Sequence, residues 1–235
     1  MSKNPWQTGE PRSLKIRVDS ATLEGDLNVP PGAEGIVLFA HGSGSSRHSR
    51  RNRFVARTLS QGGLGALLVD LLTEAEEEID VRTRRLRFDI DLLARRLVGI
   101  TDWTETYRET KGLDIGLFGS STGAAAALMT AQERPALIRA VVSRGGRPDL
   151  ATAYLPEVKA PTLLIVGGND FQVLQLSRQA LTQLRIEKKL EIVPGATHLF
   201  EEPGCLEKVA VLARDWFLRH LGSASTARRV SGGVR

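Results

Sequence analysis

The sequence predicts an α/β fold: a mostly parallel central sheet flanked by helices. Three observations carry this expectation. Short β-branched or leucine-rich runs recur along the chain ("GIVLFA", "GALLVD", "IGLF", "AVVS", "TLLIV" and "LEIV"), apolar along nearly their whole length, as strands buried on both faces must be. Loop residues and then a helical pattern follow most of them, the alternation that builds parallel sheets. The chain has 235 residues, 41% hydrophobic and 25% charged, enough to bury a sizeable core and far from a disordered composition.

The elements can be taken in order. Residues 1–13 are expected to be an N-terminal extension. "LKIRV" and "LEGDLNV" alternate apolar and polar residues and predict an antiparallel hairpin at one sheet edge, turning at Asp19-Ser20. The sheet strands follow from "GIVLFA" onward. Leu86, Ile90, Leu93, Leu97 and Ile100 recur at spacings of four and three and predict one arginine-rich amphipathic helix. Leu206, Val209, Leu212, Trp216 and Leu221 predict a terminal helix after Pro203-Gly204. The segment "RGGRPDLATAYLPEVKAP", between "AVVS" and "TLLIV", has room for a short helix and none for a cap domain, which predicts an open site. A single domain over 14–222 is expected, with a mobile C-terminal tail at 223–235.

Composition narrows the function. The net charge of +5 permits acidic partners, but aromatics make up only 5% of the chain and no known module accompanies "RHSRRNR", so nucleic-acid binding is not expected. "MSKNPWQTGEPRSLKIRV" has no apolar core of a secretory signal, and no apolar run reaches membrane-spanning length. The single cysteine, Cys205, excludes an internal disulfide and a cysteine-based metal cluster. The expectation is a cytoplasmic protein, bound to no membrane, needing no metal or cofactor, and able to form a homodimer.

"GSSTG", Gly119 to Gly123, joins the "IGLF" strand to a helix that opens on four alanines. A G-x-S-x-G turn in that setting holds the central serine on a sharp, strained corner and lets strand and helix approach closely. Ser121 is therefore the candidate nucleophile. A serine hydroxyl needs a base, normally a histidine oriented by a carboxylate. Of the four histidines, His198 lies just past the last strand and is the candidate base. His41 is read as shaping the loop after "GIVLFA", His48 lies in a basic loop, and His220 closes the terminal helix as a solvated or capping residue. Asp170, four residues beyond Val166, is the candidate orienting acid. Asp149 competes for that role, while Asp70 precedes the serine; both also read as helix-cap or turn residues. An oxyanion hole needs two backbone N–H groups, expected from Thr122 and from Ser43 in "HGSGSS", with Gly42 as the alternative. Arg144 and His41 are candidate substrate contacts, Arg144 as a partner for a substrate carboxylate at the rim. The stretch Arg47, Arg50, Arg51 and Arg53 reads as the solvated start of the first sheet helix, or as another source of a partner for a substrate carboxylate.

With nucleophile, acid and base in the order Ser121, Asp170 and His198, the chain resembles the α/β-hydrolase superfamily from about Leu14 to Leu221. "FAHGSGSS", "GGND" and "GATHLFEEPG" make it similar to the dienelactone-hydrolase-related group. Some relatives there are fused to a phosphoribosyltransferase-like domain, which is not expected here. Dienelactone hydrolases proper carry cysteine where this chain has Ser121, and a glutamate near its His41-Gly42. The resemblance implies an α/β-hydrolase fold and two-step acyl transfer on a small or short-chain carboxylic ester, with no cofactor. Thioester, amide or lactone hydrolysis and acyl transfer remain open on the same triad, as does a non-catalytic binding protein on the same fold.

Overall fold

The computed structural model describes residues 11–222. The expected tail at 223–235, and residues 1–10 of the expected N-terminal extension, lie outside them. Eight strands form one sheet in the order β1-β2-β4-β3-β5-β6-β7-β8. The hairpin β1 (Arg12–Val18) and β2 (Ala21–Asn28) is antiparallel, and β2 pairs antiparallel with β4 (Gly65–Val69). Its turn falls at Asp19, whose φ of 51° is the left-handed conformation an aspartate tolerates. β1 begins at Arg12, paired with Leu27, so the ordered sheet starts two residues earlier than expected. The remaining pairs, among β3 (Gly35–Ala40), β4, β5 (Asp114–Ser120), β6 (Ile138–Arg144), β7 (Thr162–Gly167) and β8 (Lys188–Val193), are all parallel.

β3, β4 and β7 are buried at every position, which is why their sequences are apolar runs without alternation. β8 is exposed or half-buried at every position but Val193, as an edge strand can be. Two apolar layers cover the sheet. On one face, α3 (Ile90–Thr106) and α4 (Thr122–Glu133) pack against Leu38, Leu117 and Val141. On the other, α1 (Arg50–Gln61) and α6 (Cys205–His220) pack against Phe39, Phe118 and Ile165. The rings of Phe39 and Phe118, 4.9 Å apart, join neighbouring strands there. Each such fully buried side chain contributes about 1.5–3 kcal/mol.

Two regions differ from expectation. The stripe from Leu86 to Ile100 is not one helix: Leu86–Phe88 form a separate 3-10 turn, and Asp89 caps α3 by accepting the Leu92 N–H. Before it, α2 (Glu74–Thr83) is a helix with no apolar stripe of its own, leaving Ile79 and Val81 exposed. Its start is a reciprocal capping box between Thr73 and Glu76, a signal present in "TEAE". Between β6 and β7 the chain makes two 3-10 turns, Pro148–Ala151 and Leu155–Glu157, instead of one short helix. α5 (Phe171–Gln183) completes the flank beside β7 and β8.

Candidate active site

The candidate residues gather at the carboxyl ends of β3, β5, β6, β7 and β8, where a parallel sheet splays its loops. Ser121 caps α4 with φ 51° and ψ −123°, a conformation that costs a non-glycine residue about 1–3 kcal/mol. Its surroundings enforce it. The Ser121 N–H donates to Arg144 O at 3.4 Å, and its carbonyl accepts from the N–H groups of Ala124 (3.1 Å) and Arg147 (3.0 Å). The flanking glycines are steric necessities: a Cβ on Gly119 would sit 2.4 Å from Ala124 Cα, and one on Gly123 would sit 2.2 Å from Ala40 O. Ala124 to Ala127 are fully buried, so α4 rests directly on the sheet.

His198 follows β8, and Asp170 stands at the N-cap of α5 after β7. Asp170 Oδ2 lies 2.6 Å from His198 Nδ1, while Oδ1 accepts the Val173 N–H at 3.4 Å. The two loops are bound together by the Asn169 N–H to Ala196 O (2.9 Å) and Asn169 Nδ2 to Gly195 O (3.0 Å). The turn at Gly145, between the two residues that hold the Ser121 backbone, lies against His198: a Cβ there would be 3.6 Å from His198 Cε1. Asp149 is engaged elsewhere, paired with Arg147 at 2.8 and 2.7 Å. That hydrogen bond, and the Asp149 charge against the opposing effect of burial, hold the Arg147 guanidinium above its ordinary range. Asp170 is the carboxylate that meets the imidazole.

Ser43 lies in the loop after β3, its Oγ 2.9 Å from Thr122 Oγ1. Among the described residues, neither the Ser43 nor the Thr122 N–H donates to a backbone acceptor. Gly42 closes on the nucleophile: a Cβ there would be 2.8 Å from Ser121 Cβ. His41 is buried. Its Nε2 accepts the Leu71 N–H at 3.2 Å, which leaves the ring proton on Nδ1, directed to Gly42 O at 3.0 Å. Both nitrogens thus tie the β3 loop to the β4 loop, so His41 shapes the backbone and has no ring nitrogen to offer a substrate.

Arg144 is also not where a rim contact must be. Only 6% exposed, it donates to Asn52 Oδ1 at 3.1 Å and lies 6.0 Å from the Phe200 ring centre. Burial, and secondarily the Arg51 charge, push its guanidinium down to about 10. Nor is the basic stretch simply solvated. Arg47 pairs with Asp70, Glu24 and Asp26, Arg53 with Asp26, and Arg51 with Glu201. Arg47 therefore fastens the β3 loop to β2 and β4, and Asp70 is its ion-pair partner. His220 is packed rather than solvated, its ring 4.6 Å from Trp216.

A cavity of about 580 Å³ opens beside the β3 loop, walled by His41, Ser45, Leu72 and α2. Its charged lining is Glu24, Asp70, Glu74, Glu77 and Glu78, with Arg47. The 70–89 excursion supplies much of this wall. No group of three or more histidine, cysteine or acidic side chains among the described residues is arranged to hold a metal ion. No helix among them is long and apolar enough to cross a membrane.

An eight-stranded, mostly parallel sheet with a serine elbow between β5 and α4 defines an α/β-hydrolase fold. The chain belongs to the dienelactone hydrolase family, whose model matches residues 23–216. A dienelactone hydrolase structure from Anabaena variabilis is 59% identical, with a TM-score of 0.89, and the match covers 91% of this chain and 100% of that one. Est1E from Butyrivibrio proteoclasticus shares the fold at 16% identity and a TM-score of 0.75, over 88% of this chain and 98% of that one. A Mycobacterium tuberculosis protein named as a phosphoribosyl transferase is 57% identical over 208 residues, 88% of this chain but 46% of that protein. This chain therefore spans less than half the length of that relative.

Proposed function

We propose that the protein hydrolyses carboxylic esters of small or short-chain acyl groups through an acyl-enzyme on Ser121. The observation that carries this reading is an imidazole held at 2.6 Å by a carboxylate, His198 to Asp170, against Gly145, whose neighbours Arg144 and Arg147 hold the strained backbone of Ser121. Asp170 accepts the Nδ1 proton of His198, so Nε2 is free to take the Ser121 proton. The alkoxide attacks the ester carbonyl, and the Ser43 and Thr122 N–H groups receive the negative oxygen. As the tetrahedral intermediate collapses, His198 returns the proton to the departing alkoxide. Water, deprotonated by the same imidazole, then releases the acid and restores Ser121. Within this reading the cavity beside the β3 loop receives one arm of the ester, and the site works in the cytoplasm without cofactor.

A fluorophosphonate probe followed by peptide mapping tests this directly. Labelling of Ser121, abolished in His198→Ala, is the expected result; labelling elsewhere or none removes the nucleophile. One observation favours a narrower second reading. The Anabaena variabilis structure, matched over its whole length, carries the name of a dienelactone hydrolase, which directs attention to cyclic esters. A panel pairing each open-chain ester with the lactone of the same acid separates the two by kcat/KM.

A further inference from the structure

The two residues read as oxyanion donors are joined by more than proximity. Ser43 Oγ lies 2.9 Å from Thr122 Oγ1 and 3.2 Å from Arg87 O. A carbonyl only accepts, so the one Ser43 proton goes to Arg87, and Thr122 must donate its own to Ser43. The chain runs Thr122 O–H to Ser43 Oγ–H to Arg87 carbonyl. Its far end is fixed. Asp80 is fully buried and accepts the Leu86 N–H (2.7 Å), the Arg87 N–H (3.1 Å) and Arg87 Nε (2.5 Å). Burial opposes the Asp80 charge, but these hydrogen bonds prevail and hold its carboxyl below the ordinary carboxylate range. The same arginine overlies the β3 loop: a Cβ on Gly44 would meet its Nη1 at 2.9 Å.

The loop from His41 to Ser46 contains two glycines and three serines, a composition with much freedom to lose. Oxyanion stabilisation tolerates little of that freedom, because donors must already stand where the charge develops. We propose that Thr122, Ser43, Arg87 and Asp80 form a positioning relay: the two hydroxyls set the spacing of the two oxyanion amides, and the Asp80–Arg87 turn sets the Ser43 hydroxyl. The proposal rests on the acyl-enzyme reading above and extends it to residues that touch no substrate. Arg87 and Asp80 lie in the 70–89 excursion, the segment that also contributes α2 to the cavity wall.

Thr122→Val keeps the shape and the backbone N–H and removes only the hydroxyl; Thr122→Ser keeps the hydroxyl. On p-nitrophenyl acetate, Thr122→Val and Ser43→Ala should each lower kcat about 10- to 100-fold with KM within about twofold, and Thr122→Ser should restore most of it. Affinity for phenylboronic acid, which becomes a tetrahedral anion on the serine, should fall with kcat. The double variant should be little worse than either single one, because both break the same link. Asp80→Asn should move kcat in the same direction. If Asp80→Asn does not fold, the Thr122 pair decides the matter alone. All variants are first labelled with a fluorophosphonate. Absence of labelling at Ser121 in the unaltered protein brings down the nucleophile and the relay together. Labelling with an unchanged kcat in Thr122→Val, or a fall that Thr122→Ser shares, overturns the relay and leaves the nucleophile standing.

Discussion

The two flanks of Ser121 are built on opposite plans. On the β6–β8 side, His198 is 41% exposed in its side chain and is oriented by a side-chain hydrogen bond to Asp170. On the β3–β4 side, Ser43 and Thr122, the proposed oxyanion donors, are tied by hydroxyls, by His41 and by Arg47 into a network that reaches β2 and the 70–89 excursion. The difference fits what the proposed reaction asks of each flank. A general base exchanges protons with substrate and water in every cycle and gains from solvent access. An oxyanion hole gains from dipoles that do not reorganise when charge appears.

The largest expected effect breaks the comparison at its centre. Ser121→Ala leaves both flanks intact and removes only the attacking oxygen, so ester turnover should fall by about three orders of magnitude or more, to the residual rate that binding and oxyanion donors sustain. Wild-type turnover of a p-nitrophenyl ester by the purified variant would remove Ser121 as the nucleophile and with it the functional contrast between the flanks.

Next comes the base side. Asp170→Asn should lower kcat about 10²- to 10⁴-fold, because an amide cannot accept the Nδ1 proton and favours the wrong tautomer. Asp149→Asn should change it less than about threefold, since Asp149 serves Arg147 and the turn that holds the Ser121 carbonyl. Matched kinetics that reverse this ranking would transfer the acid role to the loop after β6.

These two flanks were unequally legible in the sequence. Gly119, Ser121, Gly123, Asp170 and His198 occupy positions that strand and helix patterns predict, because an elbow and two strand ends are local events. The ties on the other flank join residues such as Ser43 and Thr122, or Arg47 and Glu24, that only the folded sheet brings together. α2 follows no apolar period, so its one signal in the sequence is the capping box at Thr73. For Arg144, residue type and strand end fix the position in the chain but not the depth, because they say nothing of which face receives a side chain. There, β6 sends it under Phe200 beside Asn52.

The flanks also differ in charge, which sets a smaller effect. The cavity on the β3–β4 side is lined by Glu24, Asp70, Glu74, Glu77 and Glu78 against Arg47 alone, and Arg47 is already paired with Asp70 and Glu24. An ester bearing a carboxylate on the arm that enters it should show a KM several-fold above that of its neutral isostere. Added salt should narrow the gap, as screening of partly exposed charges requires. A lower KM for the acidic ester would place its charge on the opposite flank.

The smallest effect concerns stability and the depth of Arg144. A guanidinium pushed down to about 10, first by burial and then by Arg51, carries its charge at a cost. The sign is fixed. The folded value lies below the unfolded one, so the charged form is penalised at every pH below about 10, with no change across the neutral range. Arg144→Met removes that penalty and keeps the length of the side chain in its slot beside Phe200. It also leaves Asn52 Oδ1 without its donor, which costs about 1–3 kcal/mol because Asn52 is 2% exposed. The two effects oppose each other, so the variant should melt within a few degrees of the unaltered protein, unlike most substitutions of a buried hydrogen-bonded side chain. Thermal unfolding at pH 7 tests this, and kinetics on the same preparation test its role. A loss of ten degrees or more would mean that an anion or ordered water compensates the charge. An unchanged melting temperature with a KM raised only for acidic esters would return Arg144 to the substrate, reached through a movement of the His198–Phe200 loop.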